Sequence, residues 1–313
     1  MVQHARLIFY SLLLLVIPCE GTLAQKIPVA PIDSLITVGY ATGSLKTLSG
    51  SVEKITETQM NKDQITNPLE AIRGRVPGLT IQRGSNGPAA LDAVRLRGTT
   101  SLTSGNDPLI IVDGVFGDLS MLTSIYPTDI ESFTILKDAS ETAQYGSRGA
   151  SGVIEVTTKK GMQGRTQVAY NGSFGISTVY KNLKMLSGDE FRSVASERGI
   201  SILDKGNNTN FQKEIQQTGL QQNHHVAFYG GSSTSSYRVS LGFMDRQGVI
   251  LNEDMKNFTS NMNMNQKMFD GFFDCELGMF GSILKNHNLV DYQKTFYSAA
   301  TFNPTYPNHK DPV

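Results

Sequence analysis

Few residues of this 313-residue sequence combine a reactive type with the spacing that chemistry requires. His224 and His225 are adjacent, but neighbouring residues of a strand point to opposite faces, and no third histidine or carboxylate stands at ligand spacing. Gly146, Gly149 and Gly152 are spaced like a phosphate-binding loop, yet its Gly-Lys-Ser/Thr ending and its following helix are missing. No nucleophile has a base beside it, and no two carboxylates are placed for acid–base catalysis. The sequence therefore predicts no catalytic residue, no metal site and no cofactor.

The elements around those glycines are organised within residues 107–161. A β-branched run at residues 109–112 stops at Asp113-Gly114, a dipeptide that favours a tight hairpin turn. A second apolar run follows at residues 133–136. The pattern predicts two strands, the first of which ends in a tight turn.

A short helix is predicted directly after the second of these runs. Asp138, which follows Lys137, can cap the helix, and Glu141 stands three residues further on. Gly146 is expected to end it. A third β-branched run then covers residues 153–158. Together these elements predict a compact α+β unit.

Two further elements precede this unit. Asn67 is expected to cap a short helix. In the alternating segment at residues 94–98, Arg95 and Arg97 lie on the face opposite the apolar residues, and Gly98 follows them. These elements extend the α+β unit towards the N-terminus.

Several short motifs stand in order along this region. They are Asp107-Pro108-Leu109, Val112-Asp113-Gly114, Asp129-Ile130-Glu131-Ser132, Leu136-Lys137-Asp138-Ala139, Tyr145-Gly146-Ser147-Arg148-Gly149-Ala150, Gly152-Val153-Ile154 and Thr157-Thr158-Lys159. In this order they resemble the plug domain of TonB-dependent outer-membrane receptors, specifically the SusC/RagA family of nutrient transporters. The strand with Arg95, Arg97 and Gly98 is similar to one found across such plugs. The resemblance implies a plug domain at residues 46–162.

Arginines are the remaining candidates for contacting a substrate in this domain: Arg73, Arg75, Arg95, Arg97 and Arg148. The resemblance implies that a plug sits inside a polar lumen. We therefore expect these arginines to pair with carboxylates of the surrounding wall rather than with a substrate.

From residue 166 the sequence changes to an alternation of apolar and polar residues. The apolar members of five such segments are Val168, Tyr170, Phe174 and Ile176; Val226 and Phe228; Tyr237, Val239, Leu241 and Phe243; Met262 and Met264; and Phe273, Cys275, Leu277 and Met279. A β-sandwich gives the same alternation, but strands that follow a plug domain are expected to form a transmembrane barrel wall. A capping box at Ser187 predicts a helix at residues 190–198, within a long loop. The predicted fold class is an α+β plug domain followed by antiparallel transmembrane β-strands.

The N-terminus is predicted to direct export. Residues 1–24 have the basic start, the short apolar core and the small-residue cleavage site at Ala24 that are typical of a signal peptide. Cys19 suggests a lipoprotein signal instead, but Pro18 stands where that signal needs a small residue. Residues 25–45 are expected to be flexible.

A β-prone segment inside that region has two interpretations. It consists of Asp33, Ser34, Leu35, Ile36, Thr37, Val38, Gly39 and Tyr40. It resembles the TonB box, which pairs by strand addition with a periplasmic energy-coupling protein. It is equally compatible with an ordinary first strand of the plug domain.

Five strands are too few for a closed barrel. Plugged barrels of this class have about 22 strands, and an open sheet would leave unpaired backbone groups in hydrocarbon. Residues 163–313 are therefore expected to supply only the first strands and loops of the barrel. Either the reading frame is truncated or a second chain supplies the rest. Residues 303–307 resemble a family segment well inside the barrel, which favours truncation.

The resemblance implies a gated outer-membrane importer of glycans, peptides or chelates, and not an enzyme. Its expected partners are a TonB-type periplasmic energy-coupling protein, a SusD-like surface lipoprotein and outer-membrane lipid. The formal net charge of zero argues against nucleic acid. The alternative is a secreted, soluble β-rich binding or adhesion protein, in which residues 166–284 would fold without detergent.

Overall fold

The structure is a computed structural model. It describes residues 35–38, 41–44, 51–62, 65, 67–82, 93–96, 98–102, 105–289 and 291–308. All described residues belong to one compact unit, which lies within Ile32–Val313. None of the helices in the described ranges is both long enough and apolar enough to cross a membrane.

The described ranges contain fourteen strands and five α-helices. In chain order they are β1 (Leu35–Val38), β2 (Ala41–Ser44), β3 (Val52–Thr56), β4 (Leu79–Gln82), β5 (Ala93–Leu96), β6 (Leu109–Val112), β7 (Val115–Gly117), α1 (Leu119–Thr123), β8 (Ile130–Leu136), α2 (Ala139–Thr142), β9 (Val153–Thr158), β10 (Gly164–Ser177), α3 (Gly188–Glu197), α4 (Phe211–Glu214), β11 (Gly219–Gly231), β12 (Ser235–Gln247), β13 (Asp254–Met268), β14 (Phe273–His287) and α5 (Tyr292–Thr301). Short 3-10 helices cover Pro68–Ile72, Pro127–Asp129, Ala143–Gly149 and Phe269–Gly271.

The region that resembles a plug domain, which we call the plug domain, is built on a five-stranded sheet with the order β3–β8–β9–β6–β7. Only β6 and β9 pair in parallel, and the other neighbours are antiparallel. One face of the sheet carries the larger core, in which Phe133, Ile135 and Ile154 have no exposed surface. The three runs predicted at 109–112, 133–136 and 153–158 correspond to β6, β8 and β9, so those strands are confirmed.

Two local features predicted from the sequence, a tight turn and a helix cap, are present in the structure. Asp113 and Gly114 both have positive φ, 47° and 84°, as the tight turn between β6 and β7 requires. The Asn67 side chain accepts a hydrogen bond from Leu69 N at 3.1 Å and caps the 3-10 helix Pro68–Ile72. Both features were predicted from single residues and their neighbours.

The predicted capping role of Asp138 is wrong. Its carboxylate makes no capping hydrogen bond to α2 and instead accepts one from Ser51 N at 3.1 Å. Gly146 does not end this helix either, because α2 stops at Thr142 and the chain continues as a 3-10 turn in which Gly146 has a φ of 59°. A contact with the start of β3 therefore replaces the local cap.

The segment with two interpretations forms a hairpin. Leu35–Val38 pairs with Ala41–Ser44 in a separate two-stranded sheet and is not a strand of the five-stranded sheet. The other members of the segment lie outside the described residues, as does Arg97: they are Asp33, Ser34, Gly39 and Tyr40.

A second antiparallel sheet follows, and we call it the wall sheet. Its order is β10–β11–β12–β13–β14, so each strand pairs with the next along the chain. The strands have 13 to 15 residues, which exceeds the roughly 9–11 residues needed to cross hydrocarbon. All five predicted strands are confirmed. Within the described residues, β10 and β14 each pair with one neighbour only.

The two ends of the wall sheet differ. Short turns at residues 232–234 and 269–272 occupy one end. The other end carries longer segments at residues 178–218, 248–253 and 288–308, which hold α3, α4 and α5. The predicted capping box between Ser187 and Glu190 is present at the start of α3. We call these two ends the short-turn end and the long-loop end.

Candidate functional site at the plug–wall interface

The wall sheet presents its polar face to the plug domain. Buried positions alternate with more exposed ones along most of β11 and through the middle of β12. The buried positions of the wall sheet include Gln221, Asn223, His225, Arg238, Ser240, Thr259, Asn261 and Asn263. On the opposite face Val168, Leu241 and Leu277 remain exposed. The predicted division into a polar face and an apolar face is therefore correct.

Asp129 is the centre of the contact between the two parts. It ends the 3-10 helix Pro127–Asp129 directly before β8 and is 2% exposed. Arg238 Nη2 donates to Asp129 Oδ1 at 2.9 Å, and Ser240 Oγ donates to Oδ2 at 2.5 Å. His225 Nε2, on a side chain that is 1% exposed, lies 3.1 Å from Oδ1. We call these four residues the Asp129 cluster.

The cluster favours an ionised carboxylate in spite of its burial. Burial by itself would raise the pKa of Asp129, but the contacts with His225, Ser240 and Arg238 outweigh it and hold the pKa below the ordinary value of 3.8. Removing one partner of a buried ion pair leaves an uncompensated charge, which is strongly destabilising. The Asp129 cluster therefore fastens the plug domain to the wall sheet.

Tyr126 extends the contact on the plug side. Its ring stacks on that of His225, with the centroids 4.6 Å apart and the planes at 17°. Burial and the charge of Asp129 raise the pKa of Tyr126 to about 12, so the phenol stays neutral. The ring also lies against Gly242 of β12. The close approach of Tyr126 to the wall thus depends on a position without a side chain.

The substitution Gly242→Ala is expected to disturb the packing of Tyr126 against β12. The added Cβ would lie 2.4 Å from Tyr126 Cδ2 and 2.5 Å from Thr259 Oγ1, and overpacking of this kind costs about 1–3 kcal/mol. Gly281→Ala is the matched control, because nothing lies within 4 Å of an added Cβ there. Urea unfolding of the two variants measures the difference, and equal stabilities would contradict the close contact.

A second group of contacts lies at the end of β9. Asp113 accepts hydrogen bonds from Thr158 N at 2.9 Å and from Thr158 Oγ1 at 2.5 Å. Asn263 Nδ2 of the wall donates to the same Thr158 hydroxyl at 3.1 Å. Lys160 forms an ion pair with Glu276 of β14. The turn at Asp113 is therefore linked to the wall through one intermediate side chain.

Comparisons with known proteins agree with this arrangement. The model of the TonB-dependent receptor plug domain matches residues 44–153. The chain is 33% identical to the TonB-dependent receptor SusC of Bacteroides thetaiotaomicron over an alignment of 324 positions, which covers 96% of this chain. That similarity continues beyond the plug domain into the wall sheet. The chain belongs to the SusC/RagA family of TonB-dependent receptors.

Other members of the receptor family are similar over much of the chain. The TonB-dependent receptor P3 of Formosa agariphila is 36% identical over 74% of this chain. The RagAB peptide importer in its open-open state has a TM-score of 0.75 and 26% identity, and the match covers 83% of this chain and 33% of that one. The chain spans 32% of the length of SusC and 23% of that of P3. The family is one of transporters and not a class of enzymes.

In this receptor chain the plug arginines do not pair as expected. Arg95 Nη1 lies 3.5 Å from Asp107 Oδ1, and Arg75 Nε donates to Asn61 Oδ1 at 2.9 Å. Both partners belong to the plug domain, so the prediction of wall carboxylates is wrong for these two. At the contact between the two parts, the arginine (Arg238) belongs to the wall and the carboxylate (Asp129) belongs to the plug. This is the reverse of the expected arrangement. The expectation stays a prediction for Arg73, Arg97 and Arg148.

Other family-motif residues build the interior of the plug domain. Lys137 Nζ lies 2.9 Å from Glu53 Oε2 of β3. Tyr145 meets the ring of Phe116 edge-on, with the centroids 6.0 Å apart. Gly152 has a φ of 90°, a conformation that residues with a side chain rarely adopt. These residues shape the domain that carries Asp129.

Sequence analysis identified Asp129 only as part of a family motif. It did not predict that Asp129 contacts residues of the wall sheet. A signal was present, because His225, Arg238 and Ser240 all stand at polar positions of alternating strands. A buried arginine on the polar face of a wall needs an anion opposite it. Within the described ranges no three His, Cys, Asp or Glu side chains come together as metal ligands do.

Proposed function

We propose that the chain supplies the plug domain and wall strands of an outer-membrane transporter that imports a glycan, a peptide or a chelate. One observation carries the proposal: the plug is held by buried polar contacts on one face of a sheet whose other face is apolar and exposed. Val168, Leu241 and Leu277 belong to that exposed face. Lipid against that face explains why these side chains are not covered by protein.

The division of the chain follows from this proposal. Residues 1–24 are a signal peptide, residues 25–45 are the segment for energy coupling, residues 46–162 are the plug and residues 163–313 belong to the wall. In lipid the unpaired edges of β10 and β14 would be costly. In the transporter, further strands pair with both edges and close the barrel.

Import on this proposal needs movement of the plug and no bond chemistry. A TonB-type periplasmic protein binds the segment at residues 33–40 and pulls on the plug. The hairpin supports this role, because among the described residues Leu35–Val38 pairs only with Ala41–Ser44, and strand addition would use its second edge. A SusD-like lipoprotein covers the long-loop end, as the pairing in the name RagAB suggests by analogy.

Deletion of residues 33–40 is expected to abolish energised uptake without removing the protein from the outer membrane. The physical reason is that the partner loses the strand to which it pairs, while the Asp129 cluster is untouched. Growth on oligopeptides, glycans or ferric chelates as the sole nutrient of each kind measures uptake. The matched control carries the same eight residues in scrambled order, which keeps the segment length. Undiminished growth of the deletion variant would show that coupling does not occur at this segment.

A further inference from the structure

We infer that the pull of the coupling partner detaches β3 from the plug domain, and that contacts made by Lys137 and Asp138 have to open first. The inference rests on the proposed function, because it requires a pull on residues 33–40. It goes beyond that function by naming the part of the plug that moves. β3 leaves the sheet, while β8 and β9 stay on the wall sheet.

β3 is the first strand of the five-stranded sheet that a pull from the N-terminal side reaches, because β1 and β2 belong to a separate sheet. It stands at one end of the strand order and, among the described residues, pairs only with β8. The pair is antiparallel and Val52 lies opposite Leu136. The pull therefore enters at the end of β8 that is remote from Asp129. The seven residues of β8 place these two points roughly 20–25 Å apart.

Three polar contacts hold that end of β3. Lys137 N donates to Ser51 O at 3.3 Å, and Ser51 N donates to Asp138 Oδ2 at 3.1 Å. Lys137 Nζ donates to Glu53 Oε2 at 2.9 Å, and the lysine side chain is only 13% exposed. We call these four residues the clasp. Both backbone groups of Ser51 are thus bound at the point where the pull arrives.

Apolar packing holds β3 less firmly than it holds β8. Ile55 is the one buried side chain of β3, whereas six of the seven residues of β8 are buried. Hydrophobic stabilisation follows the apolar area removed from water, so β3 is the easier of the two strands to detach. A pull that opens the clasp can therefore free β3 while β8 keeps its pairing with β9 and the Asp129 cluster stays closed.

Asn61 is the next firm attachment along the chain. Its side chain donates to Glu70 O at 2.9 Å, and its backbone N donates to Ala71 O at 2.9 Å. Both acceptors belong to the first 3-10 helix, which contributes Leu69 and Ile72 to the larger core. The released part is therefore residues 51–60, which span about 35 Å when fully extended.

Two engineered disulfides that share Thr134→Cys test which strand pair has to open. Lys54→Cys with Thr134→Cys joins β3 to β8, and Glu155→Cys with Thr134→Cys joins β8 to β9. Both pairs stand directly opposite each other in the register, which is within reach of a disulfide. The transporter with its complete barrel also carries Cys275→Ser, which removes a free thiol.

Uptake of isotope-labelled oligopeptides, glycans and ferric chelates is measured with each disulfide closed and again after reduction. We expect the β3–β8 crosslink to abolish energised uptake, and reduction to restore it. The β8–β9 crosslink is the matched control and should leave uptake unchanged, because these two strands stay together.

Lys137→Met tests the clasp itself, because it removes the ammonium group and keeps an unbranched side chain. Loss of a hydrogen bond between charged groups should make the backbone amide of Ile55 exchange about tenfold faster. The amides of Val153–Thr158 in β9 are the internal control and should keep their rates. An unchanged rate at Ile55 would show that Lys137 does not hold β3.

The crosslinks separate failure of this inference from failure of the proposed function. Undiminished uptake with the β3–β8 crosslink closed would overturn the inference. Loss of uptake with the β8–β9 crosslink closed would also overturn it, since the pull would then have to open more of the plug. Absence of energised uptake by the wild type would overturn the proposed function instead.

Discussion

Asp129→Asn is expected to lower the free energy of opening of β8 by about 3–5 kcal/mol, the scale found when one partner of a buried ion pair is removed. The amide keeps the shape of the carboxylate but removes its charge. Arg238, which donates to Asp129 at 2.9 Å, and the adjacent His225 then face no anion. Hydrogen exchange of the backbone amides of Ile130–Leu136 at neutral pH measures the effect as faster exchange.

The exposed neighbour Glu131 supplies the control, because Glu131→Gln removes the same charge without touching the wall. Combining Asp129→Asn with Arg238→Gln should cost less than the sum of the two changes, as expected for residues in direct contact. Strict additivity would contradict a direct coupling between them.

The pH dependence of the same variant follows from the sign of the pKa shift. The pKa of Asp129 in the folded protein lies below its ordinary value of 3.8. Its ionised form therefore stabilises the fold above about pH 3.8, and this contribution is lost as the pH falls through the lowered value. The difference between wild type and Asp129→Asn should shrink in acid, and a constant difference would exclude the carboxylate as its source.

Not every buried polar atom at the contact between the plug domain and the wall sheet has a partner. Gln221 Nε2, Asn223 Oδ1 and Asn261 Nδ2 are buried but have no hydrogen-bond partner among the described residues. Buried polar atoms without a hydrogen-bond partner contribute little or nothing to the stability of the contact between plug and wall. The Asp129 cluster is the most deeply buried group of charged contacts described between the plug domain and the wall sheet. Asn263 with Thr158, and Lys160 with Glu276, provide further contacts.

The sequence predicted features that depend on near neighbours. Alternation identified the wall strands, because each of them has one polar and one apolar face. The tight turn at Asp113 followed from two residues with positive φ. The order of the family motifs then placed the plug domain before the wall. In all of these cases the information lies within a few residues of the feature.

Features that depend on distant partners were missed. Asp129 contacts Arg238 and Ser240, which are 109 and 111 residues away in the sequence. No local sequence pattern predicts such a contact. The failed cap at Asp138 has the same cause, since its carboxylate binds Ser51 N, 87 residues away. A local rule fails where a distant backbone donor competes for the same oxygen.

Leu241→Arg is expected to destabilise the membrane-inserted protein by about 2–4 kcal/mol, the cost of arginine near the bilayer midplane on a lipid-facing strand. Leu241 stands on the exposed face, beside Val226 and Ser260 in the cross-strand register. Urea unfolding of the transporter with its complete barrel from phosphatidylcholine vesicles measures this cost. Gln222→Arg is the control, because Gln222 lies on the same face, in register with the charged residue Asp245 and closer to the long-loop end. There the same change should cost only about 0–1 kcal/mol.

The pair of variants also decides between the transporter and a soluble β-protein. In water an exposed leucine can become arginine with a change in stability of about 0.5 kcal/mol or less. Both positions would then respond alike, and the chain would fold without vesicles or detergent. A large cost at Leu241 and a small one at Gln222 requires a solvent that changes with height along the strand. Only a bilayer supplies such a solvent, so the depth dependence identifies what covers the apolar face.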